Sequence, residues 1–465
     1  MVSFSSADFI ILITFFALIL LIGFIPQKEK EGDAEGYLLS NRKVGLFLFI
    51  MTNVSTWYGG ILGVGEFTYR YGLLSWVTQG LPYYVFAIVF AVFFACKIRN
   101  ASLFTIPDKL QQVYGKKVGF VSSLIVFILV SPAPYLLMTA SLISIIFNVN
   151  ILTGAVISVI FSGLYQLKGG YKSNLFTDAF QFFMMFAGFS VIVFISFKYQ
   201  GGVQFLTRNL PKEHLQLFSN VSPLYILVWF LIALWTFADP GFHQRCYAAK
   251  TGNIAKWGII ISVFFWGLFD FLTTSTGLFA RASLPNLSNP VLSFPLYAEK
   301  VLSSGTKGFF YAAMFATIFS TLNSFFFLSA TTFGRDFIFK YKKDAKESKI
   351  PLYTRIGLLI SALVAILLSH FIQSVISIWY LIGSICIPGI ILLVFGAYYE
   401  KFKVSSRFAL TEIVVGLITS LSWFLIRSSF GIESLKEIEP MIAGLIIVIL
   451  IHIIGLIQFR RISSF

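Results

Sequence analysis

Charge is scarce in this chain. Asp, Glu, Lys and Arg make up 12% of its 465 residues, about half the share of a soluble domain, while 57% are apolar and 18% aromatic. That balance excludes a water-soluble globular enzyme. Cysteine is nearly absent too: Cys96, Cys246 and Cys386 stand far apart beside apolar stretches and form neither a disulfide framework nor a metal motif. The four histidines, His214, His243, His370 and His452, do not cluster with acids or cysteines, which leaves an intramembrane enzyme without a catalytic constellation. The first apolar run, MVSFSSADFIILITFF, lacks a basic n-region and a small-residue cleavage site, so it is expected to be a retained helix. No polar segment is long enough for a soluble domain, and the longest, at about 335–355, reads as a basic loop.

Apolar runs of helix length are what the chain has in abundance. A bilayer crossing takes about 20 apolar residues. Such runs fall at about 8–25, 43–65, 73–96, 118–148, 150–167, 175–197, 222–242, 257–280, 308–334, 354–372, 374–398, 407–426 and 440–459. The expectation is an all-α integral membrane protein with about thirteen spans. The formal net charge of +15 tests that count, because Lys and Arg gather in cytoplasmic loops. With the N-terminus outside, the loops expected outside hold Arg70, Lys198, Arg208, Lys212, Arg281, Lys300, Lys307, Arg427 and Lys436. Every other basic residue falls inside, from Lys28, Lys30, Arg42 and Lys43 to Arg460 and Arg461. Topology therefore explains the charge, and nucleic acid is not needed as a partner.

Two spans carry helix breakers. The second contains Asn53-Val54-Ser55-Thr56-Trp57-Tyr58-Gly59-Gly60, then Gly63, Gly65 and Glu66; the seventh contains Trp235-Thr236-Phe237-Ala238-Asp239-Pro240-Gly241. Interrupted helices in corresponding positions of two halves point to the binding site of an inverted-repeat transporter. The alternative is that the glycines permit close packing and Asp-Pro-Gly ends a helix. On the ninth span, Thr317, Ser320, Thr321 and Ser324 stand at i, i+3, i+4 and i+7, four hydroxyls on one stripe with Asn323 beside it. Neutral oxygens of this kind suit a weakly held alkali cation, although hydroxyls also pack membrane helices together. Asp178 lies one turn inside the cytoplasmic end of the sixth span and Asp270 near the centre of the eighth; Glu66, Asp239 and Glu412 lie nearer span ends.

The segment Gly169-Gly170-Tyr171-Lys172-Ser173-Asn174-Leu175-Phe176-Thr177-Asp178-Ala179-Phe180-Gln181 resembles the signature of the sodium/solute symporters, GG, six residues, TD, two residues, Q. Glu35 to Arg42, Thr105-Ile106-Pro107-Asp108 with Tyr114-Gly115, Asp239-Pro240 through Lys250, and Phe319 to Asn323 with Asp336 resemble further segments of that family. The resemblance implies a leucine-transporter-type 5+5 inverted repeat, with a broken first helix in each repeat, and cotransport driven by Na+. It places the ion on the carbonyls of Met51, Val54 and Thr317 and the hydroxyls of Ser320 and Thr321. Asp178, Asn323 and Ser324 occupy the positions of a second sodium or sodium-exit site, with Asn323 standing where those members have serine. Solute candidates are Asn53, Trp57, Tyr58, Trp235 and Asp239; Trp235 matches an aromatic inner gate of sugar-transporting relatives, and Tyr58 replaces their sugar-binding glutamine.

The expected organisation is an extra helix and loop in 1–42, the first repeat with the start of the second in 43–242, the second repeat in 222–398 and two C-terminal helices in 407–465. The expected function is a sodium-coupled symporter, not an enzyme, that imports a small polar solute by alternating access. A sugar, sialic acid, amino acid or carboxylate is the class of partner, with lipid around the protein and no nucleic acid. The expected location is a bacterial inner membrane, C-terminus cytoplasmic. A proton-coupled symporter using Asp178 or Asp270, or a transporter-like nutrient sensor, are the alternatives.

Overall fold

The computed structural model describes residues 2–25, 33–218, 221–342, 344, 346–372, 374–429 and 438–463. Lys28, Lys30, Lys343 and Lys436 of the charge pattern lie outside the described residues. Backbone N–H and C=O groups in hydrocarbon have no water to bond, so a chain this apolar satisfies them within helices. Among the described residues there is no strand, only an isolated bridge between Val44 and Ala249.

Twelve helices are long and apolar enough to cross a membrane. One of them, Ile151–Gln200, has 50 residues. At 1.5 Å per residue it is about 75 Å long, more than twice the roughly 30 Å hydrocarbon core. It bends at Gly170, whose φ of 56° and ψ of −142° leave the helical region. The bend divides it into the two expected crossings at 150–167 and 175–197, so the described chain crosses thirteen times. Short helices such as Ile106–Tyr114, Gly202–Asn209 and Ser293–Val301 lie between the spans and were not anticipated.

Both expected breaks are present. The second span runs Leu46–Ser55, tightens through Tyr58–Gly60 and resumes as Ile61–Tyr71. At the break the Trp57 N–H reaches back only three residues, to the Val54 carbonyl at 3.2 Å. The seventh span runs Pro223–Ile232, tightens through Ala233–Ala238, and resumes as Pro240–Ala248. Asp-Pro-Gly therefore does not end that helix: Asp239 is extended and its Oδ1 accepts from the Phe242 N–H at 2.9 Å, capping the second half. Glu66 sits within the resumed helix, where Arg70 Nε donates to it at 3.0 Å.

The ninth span, Thr306–Thr331, is the centre of the bundle: 94% of its most apolar stretch is buried in protein, against 28% for Ser6–Phe24 and 28% for Ser406–Ile426. The first span is pinned to it by Asp8, whose Oδ1 accepts from the N–H groups of Gly305 at 2.9 Å and Gly308 at 2.7 Å. One carboxylate thus caps the start of both helices, its Oδ2 accepting from Ser5.

Candidate functional site

The hydroxyl stripe of the ninth span faces the broken part of the second span and the acid of the signature segment. Ser320 Oγ lies 2.7 Å from Asp178 Oδ1 and 3.0 Å from Ser55 Oγ, while Thr52 donates to Asp178 Oδ2. All four side chains are fully enclosed in protein. Ser55 is also 2.9 Å from the Met51 carbonyl. With one Ser320 proton committed to Asp178, the oxygens of Ser55, Ser320 and Met51 share a single remaining proton. Such an oxygen-rich, proton-poor spot suits a cation. One position on, Thr321 Oγ1 donates to the Thr56 carbonyl at 2.8 Å. Thr317 turns its hydroxyl back to Ala313 in its own helix at 2.8 Å, leaving its carbonyl as the group the expectation uses.

Glycine makes this approach possible. A Cβ on Gly59 would lie 2.2 Å from Thr321 Cβ, and one on Gly60 would lie 2.2 Å from the Trp379 ring. The glycines read in the sequence as helix breakers therefore also admit the ninth-span threonine and an indole.

Asp178, Asn323 and Ser324 make no direct hydrogen bonds to one another among the described residues. One turn beyond Ser320 the helix surface diverges: the Asn323 amide donates to the Tyr165 hydroxyl, and Ser324 Oγ lies 3.4 Å from Arg245 Nη2. Among the described residues, no hydrogen bond joins either to Asp178, which bonds Thr52 and Ser320 instead. Thr52 and Ser55 escaped the sequence reading. Their signal was there, since Thr52, Ser55 and Thr56 repeat the i, i+3, i+4 hydroxyl spacing just before the break.

Beside this cluster lies a cavity of about 270 Å³ to which Asn53, Trp57, Tyr58, Trp235 and Asp239 all contribute. Trp57 stacks on Trp266 with ring centres 4.6 Å apart, and the Tyr58 hydroxyl is committed to the Trp266 carbonyl at 2.7 Å. Thr56 and Arg245 also line the cavity, and Arg245 Nη2 donates to Thr56 Oγ1. Thr56 therefore faces the cavity while its carbonyl holds Thr321, which links the two sites through one residue. Gln79, Tyr83, Tyr135, Trp379 and Asp270 complete the wall from spans that the sequence did not connect to the breaks.

This arrangement, an oxygen-rich cluster behind a cavity between two broken helices, suits a coupled transporter. Residues 37–416 match the sodium:solute symporter family. The chain belongs to that family. This symporter is 24% identical over 465 residues to high-affinity choline transporter 1 of Drosophila melanogaster, covering 94% of this chain and 72% of the other. It is 24% identical over 452 residues to the sodium/pantothenate symporter of Haemophilus influenzae, covering 91% of each. Among solved structures, a substrate-bound, outward-open Na+-coupled sialic acid symporter superposes with a TM-score of 0.83 at 14% identity over 98% of both chains. The nucleobase-cation-symport-1 family transporter Mhp1, closed with bromovinylhydantoin bound, gives a TM-score of 0.55 at 12% identity over 91% and 94%. The symporter thus has the leucine-transporter-type inverted repeat, with its second and seventh spans as the broken helices, and it is a sodium-coupled transporter in a membrane rather than an enzyme.

Proposed function

We propose that the symporter binds sodium between the second and ninth spans, through the carbonyls of Met51, Val54 and Thr317 and the hydroxyls of Ser320 and Thr321, and holds its solute in the adjoining cavity. The observation that carries this reading is the buried meeting of Ser320 with Ser55 and Asp178, one residue from the Thr321–Thr56 bond that reaches the cavity wall. An ion there ties the two spans together, and because Thr56 also faces the solute, a filled ion pocket favours the conformation that takes solute. Coupling is that difference in affinity between states. Asp178, hydrogen-bonded to Thr52 and Ser320, offers a carboxylate along which the ion leaves once the bundle rocks open to the other side. Asn323 and Ser324, turned toward Tyr165 and Arg245, support that path by position rather than as direct partners of Asp178.

The two repeats then occupy 43–242 and 222–398, with 1–42 before them and the helices of 407–465 after. The distribution of Lys and Arg supports an N-terminus outside and a C-terminus in the cytoplasm. Entry of sodium is driven by its gradient and by the potential, about 2.3 kcal/mol per charge per 100 mV. The named relatives act on choline and pantothenate and the structural neighbour on sialic acid, which supports a small organic solute here. Thermal unfolding of purified protein in sodium against potassium tests the reading. Sodium raises the transition temperature of the wild type by binding the folded state, and Ser320→Ala/Thr321→Ala removes the rise. An equal response of wild type and double variant to sodium contradicts the assignment.

A further inference from the structure

Asp270 has no duty in the sodium site, yet it sits near the middle of the helix Gly252–Ser283 and lines the cavity. It accepts a hydrogen bond from Tyr84, whose hydroxyl in turn takes the Trp76 Nε1–H at 3.3 Å. Among the described residues no Lys, Arg or His pairs with it. The other acid of the cavity has a cation near it: a methyl on Gly241 would meet Arg245 Nη1 and Asp239 Oδ1, each at 2.9 Å, so guanidinium and carboxylate flank the same glycine. Asp270 remains as the acid of the described wall with no basic group beside it, at a depth where a lone carboxylate is costly.

The rest of the wall is aromatic and held in place. Trp57 is fixed by Trp266; Trp379 fits against Gly60 and Gly63; Trp235 packs against Gly383, where a Cβ would lie 2.8 Å from its ring. Indole faces attract cations through their quadrupole. Two buried donors on the same wall, Asn53 Nδ2 and Gln79 Nε2, have no acceptor among the described residues. They call for oxygen on the ligand.

We infer that the solute is a small organic ammonium cation bearing an acceptor oxygen, its cationic end held by Asp270 and the indoles and its oxygen by Asn53 and Gln79. The inference rests on the reading of this cavity as the solute site. It departs from the sugar, sialic acid or carboxylate that the sequence suggested, because none of these supplies a charge for Asp270.

The test is tryptophan-fluorescence titration of the full-length symporter in nanodiscs, in sodium and in potassium. The probes are choline, glycine betaine, glucose, acetate and the neutral carbon isostere of choline, in which a tert-butyl group replaces the trimethylammonium. The expected result is binding of an ammonium probe at least about tenfold tighter than the neutral isostere, a preference that Asp270→Asn abolishes and Asp270→Glu retains. A stable sodium-induced thermal shift in Asp270→Asn shows that the variant is folded. Binding of neutral or anionic probes in preference to ammonium ones, or an Asp270→Asn protein that keeps the preference, overturns the inference. The sodium reading fails separately: ammonium binding that is identical in sodium and potassium leaves the solute class standing and removes the coupling.

Discussion

Gly170 shows what one residue decides. Its φ of 56° with ψ of −142° belongs to a region open essentially to glycine, and a Cβ there would lie 2.4 Å from the Tyr37 carbonyl oxygen. The Tyr37 hydroxyl meanwhile accepts no such freedom: it donates to the Gln166 carbonyl at 2.9 Å, just before the bend. Gly170→Ala is therefore expected to destabilise the protein by about 2 kcal/mol or more, read as a lower unfolding temperature with or without sodium. An unchanged transition would show that the bend does not need glycine. The Gly-Gly pair was legible in the sequence as part of a family signature. Its physical reason was not, because Tyr37 approaches from a segment far away in the chain.

At the scale of elements, the clearest lesson is the loop helix Ile106–Tyr114. The sequence marked Asp108 and Asp336 in separate segments, and nothing local says that they share a cluster, since the bond between Arg335 and Asp108 spans 227 positions. In the structure Arg335 Nη1 lies 2.6 Å from Asp108 and 2.8 Å from Asp336, and Lys340 Nζ lies 2.5 Å from Asp108. The loop helix is thus clamped to the end of the ninth span. Burial alone would raise the Asp108 carboxyl, but Arg335 and Lys340 outweigh it and hold the group below the usual carboxylate range. A carboxylate depressed in this way stabilises the fold at every pH above its unfolded value, near 3.9, and loses that contribution only as pH falls through the folded value. The Asp108 contribution is accordingly expected to be insensitive to pH between 7 and 5, roughly one unit or more above that window. Arg335→Ala, which strands two buried carboxylates against one lysine, is expected to cost about 3–5 kcal/mol. Denaturation of the variant against the wild type checks that cost; a loss well below that range would contradict it.

At the scale of the whole molecule, the features that repeat along one helix were readable and those made between helices were not. Apolar length gave the thirteen crossings, glycine and proline gave the two breaks, and hydroxyl spacing gave the Thr317 to Ser324 stripe. The far wall of the cavity, Gln79, Tyr83, Tyr135 and Trp379, carries no such local sign, because an aromatic residue in a chain with 54 phenylalanines looks like any other core or lipid-facing ring. The hydrogen-bond partners of Asn323 and Ser324 were hidden for the same reason, because they depend on Tyr165 and Arg245 in other spans. The account's central claim is that sodium is bound where the second and ninth spans meet and that this binding sets the affinity for solute. Equilibrium binding of radiosodium to the purified symporter tests it most directly. The account predicts saturable binding that Ser320→Ala/Thr321→Ala weakens at least about tenfold, roughly 1.4 kcal/mol, and that Asp270→Asn leaves intact. Saturable binding unaffected by the double substitution, or no saturable binding to the folded wild type, would contradict it.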